Sequence, residues 1–277
     1  MNKVLAFIHL GRPINLATGL FSVFAGIAIL DQLHKPFTFL LLSLVVVSYN
    51  AAANAINDYF DYEIDRINRP TRPLSRGSIS LNDAKYFSFI LFALGSVASF
   101  WLPMESRLIA IFLSMPLMVL YSWKLKQTPL FGNLVIAFIL GLAFIFIGSA
   151  HDMMGPMIIP AMLAFGLTFI REIVKDMADI KGDRAGGAKT FPERMGMKNT
   201  AYLTLVLSLS FGIMLLIPYF LGVYSNKYLL AAIIGVSIPL WLGSIILVLR
   251  PEDNTASTFS KVLKLSTILG VLAVYLG

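Results

Sequence analysis

Cysteine is absent from the 277 residues, and histidine occurs only three times. No disulfide, thiolate ligand or cysteine nucleophile is therefore open to this chain. His9, His34 and His151 show no metal-ligand spacing and read as ordinary surface residues. Charge is scarce as well: only 13% of residues are Asp, Glu, Lys or Arg, against 57% hydrophobic ones. With a mean hydropathy of +0.79, that balance excludes a soluble domain and indicates a polytopic, all-α membrane protein. The first apolar stretch follows Arg12 and Pro13 and lacks a small-residue cleavage site. It reads as the first of many spans rather than a signal peptide. Neither a low-complexity tract nor a separate soluble domain interrupts the pattern.

Nine apolar segments recur, at 13–30, 36–60, 83–102, 106–122, 130–150, 156–178, 199–221, 228–249 and 259–276. Each is near the ~20 residues that a bilayer core requires. Pro36, Pro129 and Pro156 stand at helix starts, whereas Pro116 and Pro218 lie inside segments and predict kinks. Of the 22 Lys and Arg, all but Lys35, Arg107 and Lys227 fall before the first segment or in the even-to-odd connections and their flanks. The N-terminus and those connections are thus expected in the cytoplasm, and the C-terminus outside. The net charge of +7 follows from this bias and does not call for a nucleic-acid partner. Polar residues gather in two cytoplasmic connections, 61–82 and 179–198.

The first of these is entered through NAINDYFDYEID, which spaces Asn54, Asp58, Asp61 and Asp65 by four, three and four residues. On a helix that spacing places all four on one face. Three carboxylates on adjacent turns repel unless a cation sits among them, and an oxygen-only donor set favours Mg²⁺. Asp176, Asp179 and Asp183 repeat the spacing 118 residues later, with Arg66 and Arg184 following at the same offset. Asn54 then corresponds to Glu172, and Asn57 to Lys175. Both motifs close even-numbered segments. This predicts two parallel four-helix repeats, 13–122 and 130–249, and a ninth helix at 259–276. Acids are unfavourable at a helix C-terminus, so six gathered there call for a positive ligand rather than mere solvation. Set among Arg and Lys, the two clusters suit a diphosphate held through Mg²⁺, with electrostatic assistance to its departure.

The run NAINDYFDYEIDRINRPTRPLSRGSIS resembles the first motif of the UbiA-type intramembrane prenyltransferases, and REIVKDMADIKGDRAGGAKTFPERMG resembles their second. RPINLATGLFSVFAG also fits, and YSWKLKQTPLFGNLVIAF, from Tyr121 to Phe138, is similar to their link between the fourth and fifth helices. The likeness covers nearly the whole chain. It implies a nine-helix bundle open laterally to the bilayer, dependence on Mg²⁺ (two ions for two motifs) and a polyprenyl diphosphate donor. INRPTRPLSRG and REIVKDMADIKGD are most similar to the archaeal branch that transfers a geranylgeranyl group to the free hydroxyl of geranylgeranylglyceryl phosphate. An aromatic acceptor of the 4-hydroxybenzoate or naphthoate type would use the same metal chemistry. Carried over by position, Asn54, Asp58, Asp61 and Asp65 make the first metal site, with Asn54 either ligating or only orienting. Asp176, Asp179 and Asp183 make the second. Arg66, Lys124, Arg171 and Lys175 become diphosphate contacts, while Arg69, Arg72 and Lys126 either join them or only set orientation. Glu172 is a ligand or a partner of Arg171 or Lys175.

Tyr49, Tyr59, Tyr62, Tyr121 and Trp123 lie near the expected cytoplasmic mouth. Most fit an interfacial belt, and Tyr121 is the one assigned to steady an allylic cation through its π-face. Asn133 and Thr168 are polar exceptions in apolar runs, either hydrogen-bonding between helices or facing a cavity. No residue stands out as a general base for the acceptor hydroxyl, and the departing diphosphate can take its proton. A cation-coupled secondary transporter is the rival class. Against it, the acids crowd one mouth and the other face carries almost no charge.

Overall fold

The computed structural model describes residues 2–277, the side chains of residues 67 and 68 excepted, and among the described residues there is no strand. Helix α1 (Lys3–Gly11) meets α2 (Pro13–Ile29) at a 49° bend. Then come α3 (Pro36–Phe60), α4 (Tyr62–Asn68), α5 (Leu81–Ser99), α6 (Met104–Trp123), α7 (Phe131–Ser149) and α8 (Met154–Ala185). The short α9 (Phe191–Met195), then α10 (Met197–Phe220), α11 (Asn226–Leu249) and α12 (Asp253–Leu276) complete the described chain.

Seven of these (α3, α6, α7, α8, α10, α11 and α12) are long and apolar enough to cross a membrane, and the bent α1–α2 pair adds an eighth. Each of the nine expected segments falls on a helix, yet α5 stays outside the apolar set. Asn82, Asp83 and Lys85 fill its first turn, where Ser80 and Asp83 form a capping box. The second polar connection also departs from expectation, because α8 runs on as helix to Ala185. Its 32 residues extend for ~48 Å, well beyond a hydrocarbon core of ~30 Å.

The chain forms two compact units, Met1–Leu125 with Leu142–Met157, and Lys126–Gly141 with Ile158–Gly277. In the first, α3 lies close along α5. A Cβ on Gly95 would stand 2.7 Å from the Tyr49 ring, so the helices approach closely because Gly95 has none. Ser88 Oγ donates to Ala52 O at 2.9 Å, and Tyr49 and Ser96 share a 2.9 Å hydroxyl hydrogen bond. In the second unit, Leu167, Ile170, Val174 and Met177 of α8 pack with Phe211, Leu240 and Phe259 of α10, α11 and α12. Gly166 accommodates Phe211 in the same way.

Several backbone features occur twice. Non-glycine residues with left-handed φ flank α2 at Arg12 (57°) and Asp31 (55°), and flank α7 at Leu130 (57°) and Asp152 (56°). The stretches Thr71–Gly77 and Thr190–Gly196 share the pattern T-x-P-x-x-x-G, each closing on a left-handed glycine, φ 75° and 82°. A π-helical turn, Ile109–Ser114, precedes Pro116 in α6, and another, Ile233–Ser237, precedes Pro239 in α11. Proline lacks the N–H and crowds the carbonyl four residues back, and a widened turn relieves both. At Pro218 the break is a turn at 215–216 within α10.

Candidate active site

The first acidic stretch sits where α3 gives way to α4. Asp61 forms the joint, but Asp61 N donates to Asn57 O at 3.0 Å and Asp65 N to Asp61 O at 2.7 Å. The helical bonding pattern therefore persists across the break, and Asp58 and Asp65 stay on a common side. Both are buried, at 3% and 5% exposure. Two arginines meet them. Arg72 Nη1 donates to Asp58 Oδ1 at 2.9 Å and also to Asp65 Oδ2, and Arg12 Nη2 donates to Asp58 Oδ1. Two carboxylates thus converge on one guanidinium nitrogen.

The loop that carries Arg72 is anchored from below. Leu74 and Ile79 are buried against Ala6 and Leu10 of α1, Ala55 of α3 and Ala84 of α5. Arg12 is set by the α1–α2 elbow, whose left-handed φ costs a side-chain-bearing residue about 1–2 kcal/mol. Asn54 Nδ2 donates to Gly11 O at 2.9 Å, so its amide ties α3 to the end of α1. Burial pushes the Asp65 carboxyl above the usual carboxylate range; Arg72 pulls it back, while Asp58 and Asp61 push it further up.

In the second unit Asn133 Nδ2 of α7 donates to Asp176 Oδ2 of α8 at 2.8 Å. Glu172, 7% exposed, accepts from Arg171 Nη1 at 2.8 Å and from Lys175 Nζ at 3.4 Å. Of the alternatives left by the sequence, Glu172 is thus the partner of both cations. Arg171 Nε is buried with no hydrogen-bond partner. Asp179 and Asp183 follow on α8 and are half-buried. Among the described residues, Arg66 is exposed, lies 3.7 Å from Glu63 and stands over the Tyr62 ring. Tyr121 is half-buried and Lys124 exposed at the end of α6.

Among the described residues no three carboxylate or imidazole side chains form a ready-made metal cage. The pair on Arg72 fits Mg²⁺ nonetheless. This ion keeps much of its water, takes one or two carboxylates, and fills its octahedron with phosphate oxygens. Two carboxylates facing one cationic nitrogen supply the oxygen-only donors that such an ion takes.

Three partners escaped the sequence reading. Arg12 counted there only as an orientation charge and Arg72 was left undecided, although both precede proline. Asn133 was left open between packing and cavity. One histidine departs from expectation: His151 is buried, at 7% exposure, with both ring nitrogens lacking a hydrogen-bond partner.

A multi-pass helical membrane protein bearing two duplicated, arginine- and lysine-flanked acidic helix ends is built to handle a strongly anionic, phosphate-bearing lipid substrate. The chain belongs to the UbiA prenyltransferase family, whose profile matches residues 19–268. It is 38% identical over 272 residues to the digeranylgeranylglyceryl phosphate synthase of Methanothermobacter thermautotrophicus, covering 98% of this chain and 95% of that one. The solved structure of a digeranylgeranylglyceryl phosphate synthase in membranes matches with a TM-score of 0.83 and 33% identity, over 100% of this chain and 99% of that one. A UbiA homologue from Archaeoglobus fulgidus, bound to DMAPP and Mg²⁺, shares the fold at a TM-score of 0.67 and 18% identity, over 97% of this chain and 98% of that one.

Proposed function

We propose that the protein transfers a geranylgeranyl group from geranylgeranyl diphosphate to the hydroxyl of geranylgeranylglyceryl phosphate, forming the second ether bond of an archaeal lipid. The observation that carries the chemistry is the buried pair Asp58 and Asp65 on the shared nitrogen of Arg72. The near-full-length relatives named for this reaction support the choice of acceptor over an aromatic one.

Asp58, Asp61 and Asp65 would hold one Mg²⁺, and Asp176, Asp179 and Asp183 a second; each supplies charge neutralisation to the diphosphate. Asn54, its Nδ2 held by Gly11 O, would turn its Oδ1 to the first ion or to orienting the aspartates beside it. Arg12, Arg72, Arg171, Lys175, Lys124 and Arg66 are the cations available to the diphosphate oxygens, and the buried Arg171 Nε carries no hydrogen bond of its own. The allylic C–O bond breaks with its electron pair going to the diphosphate, which these cations stabilise as it leaves. The acceptor oxygen then bonds to the allylic carbon, and its proton passes to the departing diphosphate. Tyr121 steadies the transient cation.

The nine-segment topology belongs to the same proposal: two parallel four-helix repeats, a ninth helix, N-terminus and acidic ends in the cytoplasm. The left-handed residues around α2 and α7, the two T-x-P-x-x-x-G loops and the two π turns before proline support the duplication.

The decisive assay offers labelled geranylgeranyl diphosphate and Mg²⁺ to the protein in membranes, with geranylgeranylglyceryl phosphate or 4-hydroxybenzoate as acceptor. Transfer to the glyceryl phosphate alone is expected, and Asp61→Ala or Asp179→Ala should lower turnover on the order of 10²-fold or more. Full activity of either variant would remove the metal assignment, and alkylation of the aromatic ring would change the acceptor.

A further inference from the structure

Asn133 and Ser149 are the only polar side chains of α7, and Asn133 is 7% exposed. A buried amide in such a helix is costly unless it is paired. Its partner is not another packing residue but the leading aspartate of the second acidic motif, reached at 2.8 Å. The placement also recurs along the chain. Asn15 precedes Asp58 by the same 43 residues that separate Asn133 from Asp176. The elbow residues correspond too, Arg12 with Leu130, both at φ 57°. In the first unit the elbow supplies a guanidinium to Asp58; in the second it supplies an uncharged leucine, and the asparagine three residues later holds the carboxylate instead.

The two arrangements differ chemically. A guanidinium offsets part of the charge of the carboxylate that it holds. A neutral amide fixes the carboxylate's rotation and leaves its full charge for a cation. We infer that Asn133 is a positioning residue for the second acidic site, its side-chain amide orienting Asp176 toward a divalent cation bound with the diphosphate. This rests on the reading of Asp176 as a metal ligand, and the experiment separates the two.

Mn²⁺ is titrated by electron paramagnetic resonance into the full chain in lipid nanodiscs, with inorganic diphosphate present. Outer partners of metal ligands change affinity by about 10–100-fold when removed, so Asn133→Leu should weaken Mn²⁺ binding at least tenfold. It should raise the Mg²⁺ concentration for half-maximal turnover to match, and leave turnover at saturating Mg²⁺ little changed. Asn133→His keeps a ring N–H near the place of the amide donor and should restore most of the affinity. On an Asp176→Ala background, Asn133→Leu should add nothing. Wild-type Mn²⁺ binding by Asn133→Leu, while Asp176→Ala loses it, overturns the positioning role alone. Equal weakening by Leu and His does the same. Where Asn133→Leu does not fold, Asn133→His decides, with near-wild-type affinity expected and lost affinity overturning the role. Undiminished binding by Asp176→Ala removes the metal reading itself, and this inference with it.

Discussion

Asp58 and Asp65 would be costly side chains at a buried helix end without Arg72, whose guanidinium contacts both. Breaking a buried ion pair from one side leaves an uncompensated charge, at about 3 kcal/mol or more. Arg72→Ala should therefore destabilise the protein by about 3 kcal/mol in thermal unfolding, beyond any effect on diphosphate binding. Asp58→Asn with Arg72→Ala should recover part of that loss, since the cycle removes the charge as well as its partner. His151 makes a second prediction, of opposite chemical origin. Burial, reinforced by the charges of Lys35 and His34, holds its imidazole below the ordinary histidine value. The unfolded chain then takes up a proton near pH 6.5 that the folded chain refuses. The neutral imidazole's contribution is fully present above that pH and is lost as pH falls below it. The unfolding temperature should drop between pH 7 and pH 5, and His151→Phe should flatten that drop. An unchanged slope in the variant would show that the imidazole already protonates freely.

The connection between α4 and α5 carries one of the key cations, yet no regular element holds it in place. Its order comes from Leu74 and Ile79, buried against α1, α3 and α5. Leu74→Ala removes three carbons from a closely packed site, which costs about 2–5 kcal/mol in such positions. The expected consequence reaches farther than stability. With the anchor loosened, amide hydrogen exchange should quicken through residues 69–80, and Km for the diphosphate should rise although Leu74 touches no substrate. Slow exchange retained in that loop would mean that the ion pairs of Arg72 suffice to order it. α8 needs no such anchor. Its acids extend along a continuous helix whose inner face is packed by Ile170, Val174 and Met177.

Much of the architecture could be read from side-chain chemistry: apolar runs located the helices, and the 4-3-4 acidic spacing with its single recurrence marked the candidate site. What escaped reading depends on backbone and on distant partners. Arg12 and Leu130 adopt left-handed φ without being glycine, so no residue type marked those elbows. Arg72 and Asn133 reach their aspartates through tertiary packing that spacing alone does not encode. The membrane topology turns on α5, whose polar first turn keeps it outside the clearly apolar helices. If α5 crosses the bilayer, residues before and after it must face opposite compartments. The absence of cysteine makes that testable without a background. Gly77→Cys, Glu105→Cys, Asp152→Cys and Gly187→Cys each place one thiol at an exposed position. In sealed right-side-out vesicles a membrane-impermeant maleimide should label the thiols at positions 105 and 152 and spare those at 77 and 187 until the membrane is opened. Labelling of 77 and 105 from the same side would mean that α5 lies on the surface. The acidic ends of α3 and α8 would then face opposite compartments, and the parallel duplication would fall with them.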